Sequence, residues 1–358
     1  MSEGPGAGGI PCLWMRGGTS RAAVFLAADL PADPGARDAL LLRVMGSPDP
    51  RQIDGIGGGD PLSSKVAVLG PPTRPDADVD YLFLQVFVDA PRVTAAQPCG
   101  NILAAVGPAA IELGLAQAQE GETRLRIHMC NTGEIAQASV QTPGGRITYD
   151  GSAQIDGVPG AHAPVRLMFE NIAGAVCGAL FPSGRVRDVI ADVPCTLIDH
   201  GMPVVVMRAD DLGLTGQEPP EMLEGMADLK ARVEAIRLAA GPMMGLGDVA
   251  EKSIPKMTLV APPIAGGVIA TRSFIPHRVH DGIGVLAAVS VAVACTTPGS
   301  AAEGLAHVPE DEAFRIEHPS GQMPVLLQRD GGGIRAAGFL RTARKLMAGR
   351  VFPAPGMS

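Results

Sequence analysis

Aromatic residues are scarce in this 358-residue chain, since Phe, Trp and Tyr together make up only 3% of it. Charged residues are also few, at 18%, and Lys and Arg form no cluster. With a net charge of -8 the chain lacks the basic surface that nucleic acids or anionic membranes require, so neither is an expected partner. The 46% of hydrophobic residues excludes a disordered chain. The length is sufficient for two domains.

Paired cysteines are missing as well. The six cysteines stand singly, without a Cys-x-x-Cys pair, at positions 12, 99, 130, 177, 195 and 295. This spacing indicates reduced thiols and a cytoplasmic protein rather than a disulfide scaffold. Residues 1–9 lack the basic and apolar regions of a secretory signal, and the longest apolar run, 283–295, is too short to span a bilayer. Export and membrane insertion are therefore not expected.

The segment 97–114 is the most unusual part of the sequence. A polar Gln-Pro-Cys-Gly-Asn stretch leads into residues 102–114, which are apolar on nearly every side of a helix. Such a helix must be buried, and a thiol at its start lies at the positive end of the helix dipole, which favours the thiolate. Cys99 is therefore the first catalytic candidate, against the alternative of a buried cysteine that only fills space. The other five cysteines lie in or beside apolar runs and are interpreted as buried structural residues.

The remaining pattern predicts strands at 10–15, 66–69 and 80–89, a further strand ending at Leu26, and a helix at 38–45. The order of motifs also repeats. The heptad 12–18 is matched by 195–201, the segment 126–133 by 315–321, and Leu103-Ala-Ala-Val106 recurs identically as Leu286-Ala-Ala-Val289. These ordered matches indicate an ancient duplication and predict two similar domains, each a curved sheet around one apolar helix. If the helix starts near Asn101 and Ile283 face each other across a cleft, they make an anion site for a substrate with several carboxylates.

Lys65 lies between a glycine-rich loop and an apolar strand. A lysine desolvated in a cleft can act as a general base, although most lysines are solvated surface groups. The loop does not fit a nucleotide-binding pattern, because Asp60 occupies the last glycine position. His277 and His280 are spaced as a metal pair, but no third ligand or His-Glu-x-x-His arrangement accompanies them, so no metal is predicted.

Arginines are better candidates for binding an anion, because a guanidinium binds carboxylates bidentately. Arg16 and Arg272 are preferred for this role. Arg51 and Arg278 are explained equally well as members of surface ion pairs.

Long motifs in this order resemble the 2-methylaconitate cis-trans isomerase family over residues 10–352. They are Met15-Arg-Gly-Gly-Thr-Ser20, the glycine-rich segment 46–59, Ser64-Lys65, Asp78-Val-Asp-Tyr-Leu-Phe83, Cys99-Gly-Asn101, Gly201-Met-Pro203, Pro255-Lys256-Met257 and His318-Pro-Ser-Gly321. The resemblance implies an α+β, diaminopimelate-epimerase-like fold with two pseudo-twofold-related domains and the active site between them. The expected domains are 8–185 and 186–337, with 338–353 returning to complete the first sheet.

The resemblance further implies an isomerase without metal, nucleotide or pyridoxal cofactor, which shifts a proton in an unsaturated tricarboxylate or keto acid. The segments that begin at Arg51 and Arg272 look most like the branch that acts on 4-oxalomesaconate in the degradation of gallate and related aromatic acids. Methylaconitate isomerases are the nearest rival. Arg21 and Pro98 depart from the family's usual lysine and asparagine, which affects the expected substrate contacts.

Two other classes of function are disfavoured. Epimerases of this fold carry a second cysteine where this chain has Asp281-Gly-Ile-Gly284, so a two-thiol racemisation is not available. A non-catalytic binding protein would explain neither the thiol at a helix start nor the loop that presents Lys65.

The predicted active site uses Lys65 to remove the proton and Cys99 to return or relay it, and the sequence leaves open which is the obligatory base. Expected substrate contacts in the first half are Arg16, Gly17, Gly18, Ser20, Ser64, Gly100 and Asn101. Those in the second half are Arg272, Ser273, His277, Asp281, Gly282 and Ile283. A homodimer is one expectation for the assembly, which no sequence pattern decides.

Overall fold

A computed structural model describes residues 9–96, 99–170, 172–276, 278–330 and 333–355. The chain forms two compact units, one of Met1–Leu167 with Leu340–Ser358 and the other of Met168–Phe339. The division lies earlier than the boundary expected near residue 186. Residues 168–185 belong to the second unit, in which Phe169 packs against Phe339 with ring centroids 5.9 Å apart. None of the helices among the described residues is long and apolar enough to cross a membrane.

The first unit is built on strands with two helices. Its elements are β1 (Ile10–Gly17), β2 (Ser20–Leu26), α1 (Pro34–Met45), β3 (Lys65–Gly70), β4 (Val79–Val86), β5 (Val93–Thr94), α2 (Gly100–Glu112), β6 (Gly121–Met129), β7 (Glu134–Thr142) and β8 (Pro164–Glu170), the last of which continues into the second unit. The hairpin of β1 and β2 joins β3 by a parallel pairing, β3 pairs antiparallel with β4, and β4 pairs parallel with β6.

The second unit repeats this order of pairings. Its elements are β9 (Asp188–Ile190), β10 (Val193–Asp199), β11 (Pro203–Arg208), α3 (Pro220–Gly225), α4 (Ala227–Met243), β12 (Lys256–Ala261), β13 (Ile269–Ile275), β14 (Arg278–His280), α5 (Val285–Thr296), β15 (Ala313–His318) and β16 (Gly321–Asp330). Strand β11 pairs parallel with β12, β12 antiparallel with β13, and β13 parallel with β15. The recurrence of parallel, antiparallel and parallel pairings matches the duplication read from the sequence.

A single long strand, β17 (Gly333–Val351), serves both units. Its first part pairs with β16, down to Phe339 opposite Val325. Its last part pairs with β1, ending with Val351 opposite Ile10. The C-terminal segment therefore supplies a neighbour for the first strand of the chain.

Helix α1 begins earlier than predicted. Asp33 caps it by accepting a hydrogen bond from the backbone N–H of Ala36 at 2.8 Å, and Pro34 occupies its first turn. It ends at Gly46, whose φ of 80° suits the left-handed C-cap. Helix α1 lies against one side of the sheet, in a core that includes Phe25 and Val66.

Helix α2 confirms the burial expected of a helix that is apolar all round. Nine of its 13 residues are buried. It contacts the side of β3 and β4 that α1 does not cover, so every residue of β3 is buried. The first residue of β3 is thereby removed from bulk water.

The cysteines follow their expected burial only in part. Cys12, Cys195 and Cys295 are buried, and Cys177 is half-buried. Cys130 is exposed, so its interpretation as a buried residue is wrong. It lies in the turn just after β6, where the alternation that buries strand residues has ended.

Candidate active site

Lys65 is the first residue of β3 and only 8% exposed. In the sheet it lies opposite Gln85 of β4 and beside Ala22 of β2. Its Nζ donates a hydrogen bond to Gln85 Oε1 at 2.6 Å and lies 5.3 Å from the centre of the Phe83 ring. No carboxylate pairs with Lys65 in the part of the chain that the structure describes. The amine is held by neutral groups rather than by an ion pair.

The amide of Gln85 is fixed by the backbone. Its Nε2 donates to the carbonyl oxygens of Ser64 at 2.9 Å, Pro61 at 3.1 Å and Val86 at 3.2 Å. With the nitrogen engaged in this way, the oxygen is left facing Lys65. Gln85 is a functional candidate that the sequence did not reveal.

Cys99 is half-buried and forms the N-cap of α2 with an extended backbone, φ -124° and ψ 104°. Its side chain makes no capping hydrogen bond, so the first N–H groups of the helix are not satisfied by it. Tyr81 of β4 lies nearby and is completely buried. Burial first, and then the charge of Cys99, raise the pKa of Tyr81 well above its ordinary value. Tyr81 and Gln85 alternate onto one face of β4, and helix α2, which Cys99 caps, contacts β3 and β4.

The turn between β1 and β2 packs tightly against the start of α2. A Cβ on Gly17 would lie 2.4 Å from the backbone oxygen of Asn101. Gly18 has a φ of +51°, and a Cβ there would lie 2.2 Å from Asn101 Oδ1. Asn101 also donates from Nδ2 to Thr19 Oγ1 at 3.1 Å and accepts from Arg341 Nε at 3.2 Å. Only glycine fits at these two positions. The close packing and the Asn101 hydrogen bonds fix the turn against the start of the helix.

Two hydrogen-bonding groups at this turn lack partners among the described residues. Ser20 is buried, and its Oγ makes no hydrogen bond. Arg16 donates through Nη1 to Gly18 O at 2.9 Å and to Thr342 O and Oγ1 at 3.0 Å, whereas its buried Nη2 has no acceptor. Burial, and then the cation of Arg344, lower the pKa of Arg16. The unpartnered Ser20 Oγ and the unpartnered Arg16 Nη2 both favour an anion beside Arg16.

Ser64, next to Lys65, is buried and accepts a hydrogen bond from Gln52 Nε2 at 2.7 Å. Gln52 also accepts from the N–H of Gly59 at 3.0 Å and donates to Ser47 Oγ at 3.0 Å. The Gln52 side chain therefore links parts of the glycine-rich loop to one another, and it links the loop to Ser64, the residue before Lys65.

Several predicted residues of the second unit also lie together. Ser273 of β13 is opposite His280 of β14 and 3.2 Å from Thr258, measured between hydroxyl oxygens. Ser320 Oγ donates to the backbone oxygen of Asp281 at 2.6 Å. The backbone N–H of Gly282, expected to hold a carboxylate, instead donates to His280 Nδ1 at 2.8 Å. Ile283 is buried just before Gly284, the N-cap of α5.

Arg272 is not brought to this group. Side chains alternate along a strand, so Arg272 lies on the opposite face of β13 from Ser273. Its guanidinium donates to the backbone oxygens of Glu218 at 2.5 Å and Thr271 at 2.9 Å. His277 and Pro98 lie outside the described residues.

The likeness to known proteins extends over nearly the whole chain. Residues 8–354 match the family model described as PrpF protein. A (4E)-oxalomesaconate Delta-isomerase of Novosphingobium sp. (strain KA1) is 62% identical over 345 residues, which cover 96% of this chain and 97% of the relative. A 4-oxalomesaconate tautomerase of Pseudomonas putida is 55% identical over 344 residues, which cover 96% and 95%.

Solved structures agree with the fold. The crystal structure of a methylitaconate-delta-isomerase superposes with a TM-score of 0.91 at 36% identity, covering 96% of this chain and 95% of the other. A probable proline racemase of Agrobacterium radiobacter K84 matches with a TM-score of 0.50 at 16% identity, covering 96% and 92%, which shows the shared epimerase-like fold alone. The family model and these identities together show that the chain belongs to the PrpF family.

Proposed function

We propose that this protein is an isomerase that moves a proton within 4-oxalomesaconate, the compound named for two relatives that are 62% and 55% identical to it. The observation that carries the proposal is the buried amine of Lys65, held by Gln85 on the face of the sheet that also carries the Cys99 helix start. Such a pair supplies a base and an acid without any cofactor.

In the proposed reaction Lys65 removes a proton next to the carbonyl or along the conjugated system. The electrons of the broken C–H bond move into a dienolate, and Cys99 returns a proton at the other end. The product has the same elemental composition as the substrate, because one bond to hydrogen breaks and another forms. After this step Lys65 carries an added proton and Cys99 has lost one. Proton exchange with solvent restores both groups to their starting states.

The dienolate and the carboxylates need positive partners. The first N–H groups of α2, at Gly100 and Asn101, point along the positive end of the helix dipole. Ser20 Oγ and Arg16 Nη2 are buried without an acceptor, and an unsatisfied buried donor costs about 1–3 kcal/mol. A substrate carboxylate at this turn would satisfy both groups.

The contribution of the second unit stays a prediction. Ser273, Asp281 and Ile283 remain proposed substrate contacts, whereas the N–H of Gly282 and the Nε and Nη1 groups of Arg272 donate within the protein. An amino-acid epimerase is not proposed, because Gly284 stands at the N-cap of α5 where a second thiol would be needed. A cytoplasmic location is proposed on the six free thiols. A homodimer stays a prediction as well.

Isotope exchange tests the reaction directly. The enzyme is incubated with 4-oxalomesaconate in deuterated water, and label and isomer are followed by NMR. We expect the wild type to isomerise the substrate and to incorporate deuterium, and Lys65→Met to lose both activities. Lys345→Met is the matched control, because Lys345 lies on β17 in an ion pair with Glu112. Full activity of Lys65→Met would refute the assignment of the base.

Cys99→Ala separates the two roles. If Cys99 returns the proton, this variant still exchanges the proton that Lys65 removes but forms product slowly. A variant with normal turnover would restrict the thiol to positioning. A parallel assay with 2-methylaconitate measures the competing specificity, and a higher kcat/KM for that compound would contradict the proposed substrate.

A further inference from the structure

Three side chains with metal-ligating atoms meet on β4 and β6, outside the proposed proton-transfer pair. Asp80 lies opposite His128 in the parallel pairing of these strands, and Cys130 follows the last residue of β6. His128 Nδ1 is 2.9 Å from Asp80 Oδ1 and 4.0 Å from Cys130 Sγ. All three ligand atoms lie within 4.8 Å of one another.

These separations are close to those of a tetrahedral zinc site. Zinc binds sulfur at about 2.3 Å and nitrogen or oxygen at about 2.0–2.2 Å, which places neighbouring ligand atoms about 3.3–3.6 Å apart. The observed 2.9 Å is shorter and the observed 4.0 Å longer than that range, and all three atoms lie within 4.8 Å, so side-chain adjustments would bring them to zinc-binding distances. A thiolate and an imidazole select zinc over magnesium or calcium, which prefer oxygen ligands.

Hydrogen bonds hold Asp80 and the backbone of Cys130 in place. Asp80 Oδ1 accepts a further hydrogen bond from the N–H of Thr73 at 3.2 Å, which orients the carboxylate. The N–H of Cys130 donates to Tyr81 O at 2.9 Å and ties the turn to β4. Asp80 and His128 are half-buried and Cys130 is exposed, so an ion can enter from solvent. Three protein ligands leave the fourth tetrahedral position to water.

We propose that Asp80, His128 and Cys130 form a zinc-binding site with one open coordination position. Its ion clamps β4 to the turn between β6 and β7. That turn also carries Asn131, whose side chain accepts from the N–H of Phe83 at 2.8 Å and donates to Phe83 O at 2.9 Å and Ala95 O at 2.8 Å. Zinc binding therefore stabilises β4, which pairs with the strand that begins at Lys65, and it stabilises the segment that leads to Cys99.

Metal titration of the full-length protein tests the site. After chelation and dialysis, Co²⁺ is added as a spectroscopic probe, and Zn²⁺ binding is measured by calorimetry. We expect one ion per chain, a thiolate-to-cobalt charge-transfer band that zinc displaces, and a higher melting temperature with zinc. Cys130→Ser and His128→Ala lose the band, and Asp80→Asn binds more weakly.

Cys177→Ser is the matched control, because Cys177 is a half-buried thiol in the second unit and should leave the band unchanged. Absence of the band in the wild type, or its persistence in Cys130→Ser, overturns the proposal. The readout requires no substrate, so it is independent of the proposed isomerase activity.

Discussion

The Lys65 amine and the Gln85 amide oxygen, 2.6 Å apart, face each other from directly opposed positions of β3 and β4. Gln85 is oriented by three backbone carbonyl groups and orients the lysine in turn. The position of the proposed base is thus set by strand register rather than by an ion pair.

Gln85→Met should slow turnover without unfolding the protein. Loss of the acceptor frees the Lys65 amine to move, and a misplacement of about 1 Å can cost about 100-fold in rate. We expect kcat to fall by about that factor with little change in KM. Gln85→Glu keeps an acceptor but creates an ion pair that favours the ammonium form, so it should also be slow. Normal kcat in both variants, measured from initial rates, would show that the amide does not position the base.

Gly17→Ala should disturb the helix start that carries Cys99. The added Cβ would lie 2.4 Å from the Asn101 backbone oxygen, so the turn or α2 must move. We expect a loss of about 1–3 kcal/mol in unfolding free energy, measured with urea, together with reduced activity. Gly349→Ala is the control, since Gly349 lies in β17 and a Cβ there would meet nothing within 4 Å. Equal effects of the two substitutions would contradict the close packing at Gly17.

His200 should make the protein less stable in mild acid. Burial lowers the pKa of His200 from 6.5 to about 4. Between these values the unfolded chain binds a proton that the native chain does not, so stability falls as the pH drops from about 6.5 to 4. The full loss is about 3 kcal/mol. Urea titrations across this range should give a shallower pH dependence for His200→Gln than for the wild type, and identical slopes would contradict the assignment.

Arg272→Met should act on stability more than on substrate binding. The guanidinium holds the carbonyl groups of Glu218 and Thr271, and their loss as partners should cost about 1–3 kcal/mol. We expect a lower melting temperature with KM changed less than threefold. A tenfold rise in KM at an unchanged melting temperature would instead support the role in substrate binding that was predicted from the sequence.

The two proposed reactive residues were predicted from the sequence because each has a local signal. Cys99 precedes an all-apolar helix, and Lys65 begins an apolar strand after a glycine-rich loop. The role of Gln85 has no such signal, since it depends on which residue of β4 lies opposite Lys65, and this register follows from the packing of the whole sheet. The fold was accessible for a different reason, namely the ordered repeat and the long family motifs.

The remaining predictions depended on which face of a strand each side chain occupies and on where each strand ends. Arg272 and Ser273 are neighbours in sequence but face opposite sides of β13, and the sequence did not show which side carries substrate. Cys130 was interpreted as buried because it lies in or beside an apolar run, but it lies one residue beyond β6, in a turn, and is exposed.

Strand β17 has a consequence for the order in which the protein folds. Strand β1 takes β17 as a neighbour, and the bond from Arg16 to Thr342 spans 326 residues of sequence. During synthesis the first unit must wait for almost the whole chain before this edge is paired, and until then an open strand is exposed to other molecules. The pairing of β1 with β17 is therefore expected to form late in folding.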